Sequence, residues 1–235
     1  MTILDRVSER TSPDSAETQR SGRPFWRRPW VLPLAVLTAF YMYSQGVQIV
    51  PVPPEQRPLP PHDNFPLYYP MLLTHMAGGT VAMLTVVLQV LPWLRQHHPK
   101  VHRVTGRVYL AATLVTIVFG LVIFWWAPMA GKVGALCLLL FWLGVTAVAY
   151  DAVRRGDYRK HRRFMLYSFA VATNNMWGAF FLMAITWLTV PLDLNYFAEG
   201  ARWIPWVGNV FLVQWWLDHT AGHQIPAPAV RTIRA

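Results

Sequence analysis

Cysteine is almost absent from this chain. Cys137 stands alone among 235 residues, which excludes an intramolecular disulfide and any zinc site built on paired thiolates. Acidic residues are scarce as well, 11 against 21 lysines and arginines, and no Asp-rich pair suited to holding a diphosphate through magnesium occurs. There is no Walker-type phosphate loop and no His-Glu-x-x-His helix, so nucleotide hydrolysis and zincin chemistry have no motif to rest on. The formal net charge of +10 would suit nucleic acid. No recognised nucleic-acid motif and no soluble basic face accompany it, so that partner is excluded. Residues 1–28 lack the apolar core of a cleavable signal and read as a disordered cytosolic tail rich in Ser, Thr, Glu and Arg.

What the chain does have is apolar residues, 54% of the total with 14% aromatic, gathered into runs about 20 residues long. That length matches the hydrocarbon core of a bilayer at a rise of about 1.5 Å per residue. Within such runs only a helix satisfies every backbone N–H and C=O. The fold class is therefore an all-α polytopic membrane protein, a bundle of six transmembrane helices. The spans are predicted at about 30–50, 71–93, 104–127, 133–153, 164–190 and 203–220, within a membrane domain covering 29–222 and with spans two to five (71–190) as its core. Residues 51–70 carry eight prolines and read as an extended outer loop over the mouth of the bundle. Pro128 and Gly131 mark a tight turn between spans three and four, Pro191 stops span five, and 223–235 form a second cytosolic tail.

Charge supports this topology. Every Lys and Arg except Arg57, Lys132 and Arg202 falls on one side of the predicted spans, which predicts both termini in the cytosol of a bacterial inner membrane. Trp125, Trp126, Trp187, Trp203 and Trp206 fall at outer ends, and Trp26, Trp30 and Trp93 at inner ends. Indoles collect there because they need both hydrocarbon and a hydrogen-bond partner. Trp142 and Trp177 fall mid-span and read as interior residues. The basic inner loops imply contact with anionic phospholipid head groups as well as with the bilayer itself.

Two basic stretches organise the candidate chemistry, Arg95–Tyr109 (RQHHPKVHRVTGRVY) and Arg154–Met165 (RRGDYRKHRRFM). His102 heads one helix and His161 the other, with Asp157 placed to cap the second. His102, Gly106 and Tyr109 share a face at i, i+4 and i+7, and Arg103 and Arg107 form a second stripe. This arrangement serves either as an interfacial collar gripping phosphates or as a site where His102 binds a metal, a haem or an anion. His161, Met165, Ser168, Ala172 and Asn175 trace a polar, small-residue face along span five, either helix-packing glue or a pocket wall. In span two His75 and Gln89 share a face with Gly79 and Ala82 between them. An ionisable residue such as His75 within a span points inward and marks function as readily as structure. Span six adds Asn209, Gln214, Asp218 and His219, with Asp218 either pairing with the basic loops or relaying protons with His219. His97, His98 and His102 lack matching carboxylates or thiols for a conventional metal site.

The ordered set His75-x-x-x-Gly79, then His102-Arg103-x-x-Gly106-Arg107-x-Tyr109, then His161-Arg162-Arg163-x-Met165 resembles the bacterial membrane proteins grouped as domain of unknown function 2306. The resemblance covers about residues 70–190 and implies a multi-span membrane protein without an assigned activity. More distantly the chain is similar to membrane cytochromes of the b561 and ferric-reductase type, which hang histidines on successive spans and hold haem between them. That likeness implies one haem b, with His102 and His161 as axial ligands. His75 has no clear second ligand at its depth. Three functions follow as expectations. One is a small-molecule-binding or transport-like protein with a polar His- and Asn-lined interior running along Gln89, Asn175 and Asp218. Another is a haem-binding redox protein. The third is a membrane-embedded enzyme for a lipophilic substrate, with His75 or Asp218 as acid or base.

Overall fold

A computed structural model describes residues 31–49, 65–187 and 193–220. Both predicted tails, most of the Pro-rich loop and the Pro191 stop lie outside the described residues. Helix is the only extended regular structure among those that are described. The helices are α1 (Val31–Ile49), α2 (Tyr68–Gln89), the short α3 (Pro92–His97), α4 (Pro99–Ile123), α5 (Lys132–Arg154), α6 (Tyr158–Ala172), α7 (Asn174–Trp187) and α8 (Leu194–Thr220). A 3₁₀ turn, Phe124–Trp126, extends α4. Three of them, Tyr68–Gln89, Pro99–Trp126 and Lys132–Arg154, are long and apolar enough to cross a membrane.

Proline and glycine punctuate the chain where their backbone chemistry demands it. Pro92 and Pro99 each open a helix at its first position, where the missing N–H has no intrahelical partner to lose. Pro70 was expected in the loop; it lies in the first turn of α2, which begins three residues ahead of the predicted span, for the same reason. The turns before α5 and α6 place Gly131 and Gly156 at φ 74° and 76°, a left-handed backbone that side chains disfavour. Asp157 caps α6 as predicted, its Oδ1 accepting the Lys160 N–H at 2.9 Å.

Helices α2, α4, α5 and α6 pack in sequence around a ring that α6 closes against α2. Consecutive members run antiparallel, so α4 and α6 are parallel and face each other across the ring. The α2–α4 contact is the tightest. A Cβ placed on Gly78 would lie 2.8 Å from Thr116 Oγ1 and 3.2 Å from the Ala112 carbonyl oxygen, the close approach that small residues permit where lipid supplies no hydrophobic drive. Outside the ring, α8 packs on α5 and α6, and α1 packs on α7 and α2. Val104, Val108, Leu114, Val118 and Val122 along α4 stay exposed. In water that stripe would be a liability, whereas in a bilayer it is the lipid face.

Span five departs from expectation. It was predicted as one continuous helix from 164; the chain instead breaks at Thr173 between α6 and α7. The Thr173 hydroxyl donates back to the Phe169 and Ala170 carbonyls at 3.0 and 3.2 Å, which competes with the helix ladder and bends it. Asn209 of α8 then supplies what the break removes, its Nδ2 donating to the Ala170 carbonyl at 3.0 Å. The helix over the predicted sixth span, α8, is longer than that span. It starts at Leu194 and carries Pro205 inside it.

Candidate functional site

Four polar side chains meet in the centre of the ring. The Tyr109 hydroxyl of α4 is hydrogen-bonded to the Ser168 hydroxyl of α6. Trp142 of α5 donates its Nε1–H towards both oxygens at 3.1 Å, and the Thr146 hydroxyl lies 2.8 Å from Ser168 Oγ. Tyr109 and Ser168 have no exposed surface. In a low-dielectric interior such groups are tolerated only when paired, and this set pairs itself.

The cluster fixes the geometry of the two histidines. His102 precedes Tyr109 by seven residues and His161 precedes Ser168 by seven. Seven residues are two turns, about 10.5 Å along the axis, and return a side chain to nearly the same face. Because α4 and α6 are parallel and Tyr109 bonds Ser168, His102 and His161 stand at the same level of their helices, two turns nearer the basic end, on the faces that carry that pair. The His161 ring is fixed, its Nδ1 lying 2.8 Å from the Ala149 carbonyl oxygen of α5. With the proton on Nδ1, that bond leaves the Nε2 lone pair available. His102 Nδ1 is buried without a hydrogen-bond partner among the described residues, a costly condition for a polar atom unless a ligand satisfies it. The His102 backbone carbonyl accepts from Gln89 Nε2 at 3.0 Å. Gln89 also bonds the Thr105 hydroxyl, and its carboxamide fills the notch left by Gly106, 3.4 Å from where a Cβ would stand.

The other predicted residues distribute differently. His75 shares the α4-facing side of α2 with Gly79 and Gln89, as expected, its Nδ1 lying 2.7 Å from the Thr116 carbonyl oxygen. Its ring edge rests on Gly120, where a Cβ would come within 2.9 Å. Arg103, Arg107 and Arg162 are exposed, and Arg162 lies over the Trp216 ring at 5.9 Å. Asn175 is exposed and accepts from Asn174 Nδ2 at 3.1 Å. Asp218 is exposed too and takes both carboxylate bonds from Gln214 Nε2, at 2.8 and 2.9 Å. Gln89, Asn175 and Asp218 thus each bond a different neighbour. An apolar groove of about 290 Å³ lies between α5, α6 and α8. Asn209, expected as a polar residue of span six, bonds the α6 end, and Trp142, expected as an interior residue, joins the central cluster. Thr146 is the member that no feature of the sequence pointed to.

The sequence matches the DUF2306 family, described as predicted membrane protein, over residues 72–217, and the chain belongs to that family. No curated protein and no solved structure matches it.

Proposed function

We propose that this member of the DUF2306 family is a membrane redox protein that holds one haem of the b type between His102 and His161. The observation that supports the reading is the buried His102 Nδ1 without a hydrogen-bond partner among the described residues, on a helix parallel to the one that carries His161 and, like His161, two turns from the Tyr109–Ser168 contact. Two histidines alone cannot complete a tetrahedral site. No group of three His, Cys, Asp or Glu side chains gathers to hold a metal among the described residues. A haem would ask the protein for only two, and His102 and His161 would hold it. The Ala149 carbonyl orients His161 for that role, and Gln89 braces the turn that carries His102. Arg95, in the last turn of the short helix before α4, would suit the carboxylates of the haem edge. Haem, when bound, supplies a one-electron couple. The chain's part is to fix its orientation and to exclude water with the Tyr109–Ser168–Trp142 layer beneath it. The reading places the basic end at the cytosolic face of a six-span bacterial inner-membrane protein with both termini inside.

The test is an absorption spectrum of detergent-purified protein expressed with haem supplied, oxidised and then reduced with dithionite. A Soret band that shifts on reduction and is lost in both His102→Ala and His161→Ala, but kept in His75→Ala, is the expected result. A featureless spectrum, or a band that survives both substitutions, overturns the haem and returns the chain to the class of small-molecule binders.

A further inference from the structure

The groove outside the ring has a chemistry of its own that does not depend on the histidine pair. Phe141 and Val145 of α5, Phe164 and Tyr167 of α6, and Val210 and Phe211 of α8 make its walls, about 290 Å³ in volume. Gln214 is the one amide at its edge. Phe211 is 70% exposed, so the groove is continuous with the apolar outer surface of α8. Its walls offer an apolar chain contact area and almost no hydrogen bonds.

The lip at the basic end is different. Tyr167 donates its hydroxyl to Gln214 Oε1, and Arg163 Nη2 reaches the same oxygen at 3.4 Å. Gln214 Nε2 is committed to Asp218. The neutral groups of the lip are therefore satisfied among themselves. Arg163, by contrast, forms no ion pair among the described residues; the one such pair joins Arg155 to Asp151. One turn further out on the same face stands Arg159, and Arg162 lies next to it over Trp216. Arg163 thus stands at the lip through Gln214, with Arg159 and Arg162 near it on the same helix and with the carboxylates of Asp218 on α8 and of Asp157 at the start of α6.

We propose that this groove is a specific site for an anionic phospholipid, one acyl chain lying between α5, α6 and α8 and the head-group phosphate resting on Arg163. An apolar trough under a cationic lip complements an amphiphile of that polarity, and the planar guanidinium matches a phosphate with two parallel hydrogen bonds. A zwitterionic lipid would bring its own cation to the arginines and lose that match.

The full-length protein, stripped of lipid in detergent, is titrated with phosphatidylglycerol and phosphatidylcholine of identical acyl chains while bound lipid is counted by native mass spectrometry. One phosphatidylglycerol is expected to bind about tenfold more tightly than phosphatidylcholine. Arg163→Gln, an exposed substitution that spares the fold, is expected to erase the preference, and Lys100→Gln on α4 to leave it intact. Val210→Trp, which fills the trough, is expected to remove both lipids. If it fails to fold, Arg163→Gln decides alone. Inorganic phosphate at the same concentration is expected not to compete, because the chain supplies the affinity. Equal binding of the two lipids, a preference that survives Arg163→Gln, or displacement by inorganic phosphate overturns the site.

Discussion

The hydroxyl of Tyr109 meets the hydroxyl of Ser168 across the centre of the bundle, with the indole N–H of Trp142 directed at both from 3.1 Å. The contact joins α4 to α6 and sets the register that puts His102 and His161 at the same level of their helices. Ser168 is the hub, since Thr146 also bonds it. Removing one hydroxyl from such a cluster costs less than removing the hub. Tyr109→Phe is expected to lower stability by about 1 kcal/mol and Ser168→Ala by up to about 3 kcal/mol. Thermal midpoints in detergent rank the two, and the reverse order would make Tyr109 the hub.

Neighbouring glycines on α2 are expected to respond very differently to a methyl group. At Gly78 the new Cβ would press on Thr116 Oγ1 at 2.8 Å and on α4 backbone at 3.2 Å, whereas at Gly79 the nearest atom is 3.7 Å away. Gly78→Ala should therefore cost about 1–3 kcal/mol by prising the helices apart, and Gly79→Ala should be close to neutral. The same thermal assay reads both. Equal effects would mean that α2 and α4 are not held at this distance.

Asp157 anchors the start of the helix that carries His161. Asp157→Ala removes the acceptor for the Lys160 N–H and is expected to cost about 1 kcal/mol, with Asp157→Asn restoring most of it. Amide hydrogen exchange at Lys160 checks the mechanism. It should quicken in the alanine variant and stay slow in the asparagine variant.

Topology is open to a labelling test because the chain has one cysteine to remove. In a Cys137→Ala background, cysteines placed one at a time at Gly156 and at Met129 mark the two turns that flank α5. A membrane-impermeant maleimide added to intact cells should label the Met129 position and label the Gly156 position only after lysis. Labelling of Gly156 in intact cells would invert the proposed orientation.

Much of the fold was legible from hydropathy alone, because a bilayer penalises any unpaired backbone polar group and so turns each long apolar run into a helix. The Asp157 cap and the helix-heading positions of His102 and His161 were legible as well, since both depend on local backbone chemistry. The break at Thr173 was not. It needs a hydroxyl bonding back onto its own helix and an amide, Asn209, arriving from a helix far along the chain. The apolar groove was equally hidden, because its walls come from three helices whose neighbourhood no single stretch encodes.

Composition and periodicity by themselves determined that this is a helical membrane protein with basic and apolar segments in alternation, and which residues share a helix face. Only the tertiary structure decided which faces meet. It turned Tyr109 and Ser168 toward each other, sent Asn175 and Asp218 to separate exposed positions, and left an apolar groove outside the ring between α5, α6 and α8. The physical reason is that a helix face is a property of local spacing, set every 3.6 residues. The choice of facing partner depends on small residues such as Gly78 letting one backbone approach another and on polar atoms finding each other across the bundle.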